Sequence, residues 1–505
     1  MAFGLFKKQE TADLILSNAK VCTMNYNLPW ASAVAIKDEK ILAVGDIEMM
    51  DELISPSTEI RDLDGKYVFP GFINIYGSPC MKIFNDKYLD LTECKSTDEV
   101  VKLVKEWAEE HEDAEVIFGF GYDENLKPRI EEFGDEDEEI EIEEVLEEEI
   151  EIDETSLEEI EIVSETEEPI EEYEVSLDKA CNDRPVLLLC KNTITCWTNS
   201  EADRIIRETA EEEMVEVITV NYVLNLLIPF DFEEVEMDVK KEIEDMSDRG
   251  YTSVLDLQAP NYFESLYQDS IIGLYNEGEM RQRFFGTLFV NRPLIPKTIN
   301  YYLMNRKTTC LEMGDMVHAN MLNLYIDNEN SPVKFTTENL KIILENVCEK
   351  GFSVYIDAIN GEDMVMAYEA LDYIREKNYK NMIVIASDYL PEDEELLHSD
   401  ECFSTWENSI FDKNPFADHD IDIEEVMELL TRKAAEVIGM KDSLGTIEVG
   451  KLADLAIFDT NPYDMKPDRL SGLHADMTVL NGEIVYDVEA ENEEEMFDLM
   501  SHMQL

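Results

Sequence analysis

The stretch VFPGFINIYGSPC, residues 68–80, carries the strongest indication of the fold. An Asp-Gly turn at residues 64–65 and a Pro-Gly pair at residues 70–71 precede the apolar run FINIY, a pattern that predicts a buried strand reached through a turn. Side chains alternate between the two faces of a strand, so Tyr76 and Ser78 are expected to share one face near its carboxyl end. The chemistry of these two side chains at the end of the strand therefore bears directly on function.

Both ends of the chain read as short strands separated by turns. Residues 13–25 (DLILSNAKVCTMN) and 31–46 (ASAVAIKDEKILAVGD) alternate apolar and polar side chains. Near the far end, GTIEVGKLADLAIFDTNPYDM follows the same pattern, and MTVLNGEIVYD contains an Asn-Gly hairpin signal. We therefore predict one small β domain built from both ends, residues 1–68 and 443–490.

The middle of the chain, residues 69–442, alternates strand-like and helix-like segments. TTENLKIILENVCEK, residues 336–350, carries apolar side chains at helical spacing. Alternation on this scale predicts parallel β/α units, either a barrel or a doubly wound sheet. The predicted strands are TSVLDL (252–257), FFGTLFV (284–290), LNLYID (322–327), FSVYIDAI (352–359) and MIVIAS (382–387).

The charge balance excludes several classes of partner. The 505 residues include 116 Asp and Glu against 41 Lys and Arg, for a net charge of -75. A negative field of this size repels phosphate backbones and anionic lipids, so we expect no nucleic-acid and no membrane partner. Nine cysteines without a C-x-x-C pair fit reduced thiols, and no apolar run suits a signal peptide or a membrane span. We expect a cytoplasmic protein.

One segment departs from the β/α pattern. Residues 130–178 contain no Lys or Arg, and about half of them are acidic. Charge repulsion opposes collapse, which favours a mobile, low-complexity insertion. The recurring Ile and Leu leave open an amphipathic strand that covers an exposed face.

Several of these segments resemble one known family. IRDLDGKYVFPGFIN (60–74) and the strands before it resemble the amino-terminal signature of the amidohydrolase superfamily, and LTRKAAEVIGMKDSLGTIEVGKLADLAIFDTNPYD (430–464) resembles its carboxy-terminal signature. The segments VIFGFGYDENLKP, DRPVLLLCKNTITCWTNS and GFSVYIDAINGEDMVMAYEAL resemble amidohydrolase family 3, the branch with YtcJ-like proteins. The resemblance implies a TIM-like (β/α) barrel over residues 69–442, a composite β-sandwich from the two ends, and hydrolysis of C–N bonds by a divalent metal.

The metal-binding positions of that family carry other residues here. Its His-x-His pair on the first barrel strand aligns with Tyr76 and Ser78, its lysine with Asn323, and the histidines of its HVHAIGD segment with Tyr355 and Asp357. A phenol and an aliphatic hydroxyl are poor zinc ligands at neutral pH. All six histidines lie outside the aligned positions. We therefore expect no metal and no other cofactor, although family members use zinc or another divalent ion.

Two aspartates remain as candidate catalytic residues. VIASDYLP resembles the family's GSD-x-P segment on the last barrel strand, which makes Asp388 the retained general base. The same segment also aligns with the earlier RIEHA strand, and residues 398–400 (HSD) would then lie nearer the aspartate motif. Asp256 aligns with the aspartate of a SVHDAG segment in which Leu255 replaces the histidine. The alternative for Asp256 is a cap for the following loop.

The last part of the barrel region is short for the family. This leaves open a barrel that lacks one or two strands, whose exposed sheet edges would need cover from a dimer partner or from the acidic insertion. We therefore expect a homo-oligomer.

Three functions are compatible with these observations. The favoured hypothesis is an amidohydrolase-fold protein that has lost catalysis, a pseudoenzyme kept as a binding or assembly module for a small-molecule ligand. The alternative is a C–N hydrolase acting on a small amide or cyclic amide, with a carboxylate site built from Asp388, Asp256 and Asp357. Three converging carboxylates suit a hard cation such as Mg²⁺ or Ca²⁺. The third is a structural protein that assembles through its acidic segment.

Overall fold

Two compact units make up the computed structural model of the chain: residues 1–83 with 232–505, and residues 84–231. The structure describes residues 10–75, 79–123, 126, 175–190, 195–215, 218, 220–228, 231–257, 264–329, 331, 333–377, 383–386, 402–403 and 422–491. Within these ranges, no helix is long and apolar enough to cross a membrane.

The first unit contains a sheet made from the amino-terminal end alone, with strand order β5-β4-β1-β6. β1 pairs antiparallel with β4 and parallel with β6. The strands are Leu14–Ser17 (β1), Ala33–Lys37 (β4), Lys40–Gly45 (β5) and Glu59–Asp62 (β6).

A second sheet combines both ends of the chain, with strand order β21-β20-β19-β7-β2-β3. Its strands are Lys20–Cys22 (β2), Trp30–Ala31 (β3), Tyr67–Pro70 (β7), Leu455–Phe458 (β19), Met477–Leu480 (β20) and Glu483–Asp487 (β21). The ends meet where β7 pairs antiparallel with β19. Buried apolar side chains of both sheets form one cluster, including Leu16, Ile36, Val68, Ile457 and Val479. The predicted composite β-sandwich is therefore confirmed.

A parallel sheet of seven strands, curled into a half-barrel, forms the rest of the first unit, in the order β18-β17-β16-β15-β14-β13-β8. Its strands are Phe72–Asn74 (β8), Tyr251–Asp256 (β13), Arg283–Val290 (β14), Val317–Ile326 (β15), Ser353–Ala358 (β16), Ile383–Ala386 (β17) and Cys402–Phe403 (β18). All five strands predicted from the sequence are present, and the TIM-like class is confirmed.

Helices alternate with these strands. They are Pro79–Lys87 (α1), Phe232–Asp248 (α6), Glu264–Glu277 (α7), Pro296–Cys310 (α8), Thr337–Glu349 (α9), Gly361–Arg375 (α10), Ile423–Leu429 (α11) and Arg432–Val437 (α12). α9 shows how the sequence specifies them. Thr336 and Asn339 cap its first turn reciprocally, and its buried side chains recur at helical spacing, as predicted for residues 336–350.

The two faces of the parallel sheet pack against different parts of the unit. One face packs against α8, α9 and α10 through Leu322, Leu324, Val354 and Ile356. The opposite face, called the inner face below, belongs to a separate cluster that includes α12. Its strand residues are Ile73, Leu255, Phe285, Met321 and Tyr355. Because side chains alternate along a strand, a shift of one residue moves a side chain from one environment to the other.

The second unit has a sheet of its own, with strand order β12-β11-β10-β9. Its strands are Leu89–Asp90 (β9), Ile117–Tyr122 (β10), Val186–Cys190 (β11) and Cys196–Thr198 (β12), and its helices are Thr97–Glu110 (α2), Val175–Ala180 (α3), Ser200–Glu213 (α4) and Val220–Leu227 (α5). The barrel domain predicted over residues 69–442 includes these residues, and a separate sheet is not part of that prediction. The acidic segment, residues 130–178, lies outside the described residues except for the start of α3.

Asn199 fixes the local structure of the second unit. Its amide nitrogen donates to the backbone oxygens of Cys181 (2.9 Å) and Arg184 (2.8 Å). Its amide oxygen accepts from the backbone nitrogens of Val186 (2.9 Å) and Ala202 (3.0 Å). One buried side chain therefore holds the start of β11 and the first turn of α4 together, and all of its hydrogen-bonding capacity is used.

A buried ion pair ties the parallel sheet to the β-sandwich. Arg283 begins β14 and Asp454 immediately precedes β19, and Nη2 of Arg283 lies 3.1 Å from Oδ2 of Asp454. The guanidinium also donates to the side-chain oxygen of Asn481 and the backbone oxygen of Asp315, each at 2.7 Å. The backbone nitrogen of Asn481 donates to Asp454 at 2.9 Å. Both charges are thus buried with several partners, which is the condition under which such a pair is tolerated.

Two glycines allow the backbone to pass close to neighbouring strands at the same junction. A Cβ on Gly71 would lie 2.2 Å from Oγ1 of Thr252. Gly250 has a φ of +82°, and a Cβ there would lie 2.8 Å from Cβ of Ala456. Larger residues would push β8 and β13 away from their partners.

Replacement of Arg283 by Met should destabilise the first unit strongly, because Asp454 would keep a buried charge without its cation. We expect the free energy of unfolding, measured by urea titration, to fall by about 3–5 kcal/mol. Arg375→Met is the matched control: this arginine is exposed and pairs with Asp372 within one helix, so its loss should change the same quantity by less than about 1 kcal/mol. Equal effects of the two substitutions would contradict the importance of the buried pair.

Candidate functional site at the inner face of the parallel sheet

Asn323 lies in the middle of the inner face. It is fully buried on β15, opposite Phe289 of β14 and Tyr355 of β16. Its side-chain nitrogen donates to the backbone oxygen of Leu257 at 2.7 Å, just beyond the end of β13. Its side-chain oxygen has no hydrogen-bond partner within the described part of the chain. An acceptor buried in this way has a cost that a bound donor could offset.

Thr287 also donates hydrogen bonds to the backbone at the end of β13. Its hydroxyl lies 3.0 Å from the backbone oxygen of Asp256 and 3.1 Å from that of Leu257. Together with Asn323, it fixes the backbone at the carboxyl end of β13. In β/α barrels this is the end of the strands where functional groups gather.

Tyr355 and Asp357 share the inner face with Asn323. Tyr355 is part of the buried apolar cluster of that face. Asp357 follows two residues later on the same strand, pairs in register with Tyr325, and is 9% exposed. The structure therefore brings together three of the residues singled out from the sequence, on adjacent strands of one sheet.

Asp256 does not join them. Leu255 and Leu257 belong to the inner-face cluster, so Asp256 between them points to the helix side of the sheet. It is 3% exposed, and its Oδ2 accepts a hydrogen bond from the backbone nitrogen of Cys80, at the start of α1, at 3.1 Å. Burial, and then the negative charge of Asp256, raises the pKa of Tyr267 well above its usual value. Asp256 therefore accepts a hydrogen bond at the start of α1, whereas the alternative predicted from the sequence was a cap for the loop that follows β13.

The other predicted site residues are Tyr76, Ser78 and Asp388, together with the alternative segment 398–400, and all lie outside the described residues. The alignment that makes Asp388 the general base places it on the last barrel strand, directly after β17. β17 is not the final described strand of the sheet, because β18 pairs with it in parallel on its far side. The role of Asp388 stays a prediction.

The side chains at the aligned positions do not fit a zinc site. Asn323, Tyr355 and Asp357 offer a neutral amide, a phenol and one carboxylate, whereas zinc sites use imidazole, thiolate and carboxylate. Among the described residues, no group of three or more His, Cys, Asp or Glu side chains is placed to hold a metal ion. His318, on β15, stacks on Phe285 with ring centroids 4.5 Å apart, and burial lowers its pKa.

Arg292 is not among the site residues predicted from the sequence. This arginine lies two residues beyond the carboxyl end of β14 and is half-buried. Burial lowers its pKa, and no carboxylate in the described part of the chain pairs with it. The sequence signal is a basic residue at a strand end in a chain with nearly three times as many acidic as basic residues.

These features define a class of protein: a parallel β/α half-barrel with a β-sandwich made from both ends of the chain. A model of the amidohydrolase family matches residues 59–393 and 404–486. The chain therefore belongs to the amidohydrolase family.

Individual relatives support the fold more than the activity. The exoenzymes regulatory protein AepA of Pectobacterium carotovorum is 27% identical over 126 residues, which cover 24% of this chain and 27% of AepA. An uncharacterized metal-dependent hydrolase from Pyrococcus horikoshii has a TM-score of 0.56 and 17% identity, over 90% of this chain and 99% of that one. A zinc-bound adenosine deaminase from Xanthomonas campestris has a TM-score of 0.51 and 12% identity, over 94% and 93%. At these identities the two structures show the fold alone.

Two substitutions of Asp256 test its capping role at the start of α1. Asp256→Leu removes the acceptor for the backbone nitrogen of Cys80, and we expect the free energy of unfolding to fall by about 1–3 kcal/mol. Asp256→Asn keeps an oxygen at that position and should cost less than about 1 kcal/mol. Urea titration of both variants measures the difference. A leucine variant as stable as the native chain would count against the capping role.

Proposed function

We propose that this amidohydrolase-family chain is a pseudoenzyme whose barrel binds a small molecule without metal-assisted hydrolysis. One observation carries the proposal: Leu255 and Tyr355, at positions where the resemblance places histidines, are packed into the buried apolar cluster of the inner face. Apolar packing at these positions favours a site released from metal binding over one in which a single ligand was exchanged.

The chemistry of the remaining donors supports this proposal. Metal-dependent hydrolysis needs an ion that lowers the pKa of bound water to about 7. Asn323 contributes an amide and Tyr355 a phenol, so Asp357 is the one carboxylate at the three aligned positions on the inner face. A buried divalent ion with so little compensating charge would be strongly disfavoured.

The alternative, a C–N hydrolase with three converging carboxylates, is less well supported by the geometry. Asp256 and Asp357 lie on opposite faces of the parallel sheet, so they do not point toward a common ligand. We keep a homo-oligomer as part of the proposal, because the described parallel sheet ends in β8 on one side and β18 on the other, and sheet edges need cover.

Metal content and hydrolysis test the proposal together. We expect the purified protein to hold no stoichiometric zinc, manganese or iron by elemental analysis, and to leave N-acyl amino acids, cyclic ureas and small amides intact. One tightly bound ion per chain would contradict the proposal. So would hydrolysis that disappears in Asp388→Asn and persists in Asp400→Asn, a control that also distinguishes the two alignments of this segment.

A further inference from the structure

A thiol, a thioether and a phenol meet in the β-sandwich, apart from the inner face of the parallel sheet. Cys22 ends β2, and Met24 follows two residues later. Tyr463 lies in a single 3₁₀ turn, Pro462–Asp464, near the other end of the chain. Sγ of Cys22 lies 3.8 Å from Sδ of Met24 and 3.8 Å from the hydroxyl oxygen of Tyr463. That hydroxyl oxygen lies 3.3 Å from Sδ of Met24, so the three atoms form a nearly regular triangle.

The backbone around these side chains is firmly held. Cys22 pairs in register with Trp30 of β3. Between these strands, the hydroxyl of Thr23 accepts a hydrogen bond from the backbone nitrogen of Asn25 at 3.0 Å and donates to a backbone oxygen further along the turn. Met24 has a φ of +55°, a left-handed conformation that methionine rarely adopts. Such a conformation persists only where the surrounding structure determines it.

The size of the triangle matches a metal ion. A point equally distant from the three atoms lies about 2.1 Å from each, close to the ~2.3 Å of a zinc–thiolate bond. Thiolate and thioether sulfur are soft ligands, which favour Cu(I) over harder ions. Cys22 is 6% exposed and Met24 is partly exposed, so an ion can reach the thiol through the methionine side.

The charge of the three donors favours a monovalent ion. Burial raises the pKa of the Cys22 thiol and also that of the Tyr463 hydroxyl. Tyr463 therefore stays neutral, and the Cys22 thiol keeps its proton until a metal replaces it. One thiolate with two neutral donors carries a single negative charge. A monovalent ion neutralises that charge, whereas a divalent ion would leave a buried positive charge.

We propose that Cys22, Met24 and Tyr463 form a binding site for a soft monovalent ion of the Cu(I) type. The thiol of Cys22 releases its proton to solvent as Sγ binds the ion, Sδ of Met24 is the second ligand, and the Tyr463 hydroxyl closes the third side. The oxidation state of the metal does not change. This site is independent of the proposed function, because copper held here leaves zinc, manganese or iron at the inner face a separate question.

Competition for Cu(I) tests the site on the full, reduced chain. Bicinchoninate, a strong Cu(I) chelator, should mask weak binding by single thiols among the nine cysteines. We expect one Cu(I) per chain to be retained against it. Met24→Leu keeps the shape of the side chain and should weaken Cu(I) at least about tenfold, since even changes next to metal ligands cost this much. Cys22→Ser should abolish retention.

Two control variants remove sulfur elsewhere in the first unit. Met237→Leu changes an exposed methionine of α6, and Cys310→Ser changes a partly exposed thiol at the end of α8. Both should retain Cu(I) with native affinity. Failure of the native chain to retain Cu(I), or equal affinity of the native and Met24→Leu chains, would overturn the proposal. So would displacement of Cu(I) by an equal concentration of Zn²⁺.

Two spectroscopic measurements locate the ion. X-ray absorption of the copper-loaded native chain should show two sulfur neighbours, and this measurement decides the ligand pair if a variant does not fold. A copper ion with one sulfur neighbour would contradict the site. The ring of Trp30 lies 6.5 Å from that of Tyr463, so Ag(I), used as a probe, should quench the fluorescence of Trp30. Quenching that persists unchanged in Trp30→Phe would place the ion elsewhere and refute the proposal.

Discussion

The buried pair between Arg283 and Asp454 is the interaction on which the first unit depends. It joins the start of a barrel strand to the residue before a sandwich strand, and the two terminal nitrogens of the guanidinium also donate to Asn481 and to the backbone of Asp315. Removing two charges from water is costly, so the pair is favourable only when all of these partners are in place. The pair therefore stabilises one arrangement of the parallel sheet and the β-sandwich, whereas apolar contacts alone would tolerate small shifts between them.

With β14 fixed at its first residue, the register of its neighbours determines what faces inward. Asn323, Tyr355 and Asp357 are brought to one face, while Asp256 is turned to the other by the two leucines beside it. Within the described ranges, the inner face thus offers hydrogen bonds and shape with little charge. Such a surface suits recognition of a ligand by fit, whereas a metal centre works by polarising bonds.

The main strands and the composite sandwich could be predicted because their apolar runs and turn residues are local signals. The second unit could not, because Ile117–Tyr122 and Val186–Cys190 read like any buried strand, and the sheet that a strand joins is decided by long-range pairing. Asp256 was aligned as a candidate catalytic residue, although its flanking leucines already indicated that it would face away from them. Arg292 was not predicted, because a charge without an ion-pair partner among the described residues is recognised only once those residues have positions.

Because β7 pairs with β19, the β-sandwich cannot be completed until late in synthesis. Tyr67–Pro70 are made early, but their partners Leu455–Phe458 emerge about 390 residues later, which corresponds to roughly 20–80 s at usual translation rates. Until then the amino-terminal strands have one unfilled neighbour and the core between the two sheets is incomplete. A strongly acidic chain resists association during that interval. The high negative charge of the chain therefore opposes aggregation while the amino-terminal strands still lack β19 as a partner.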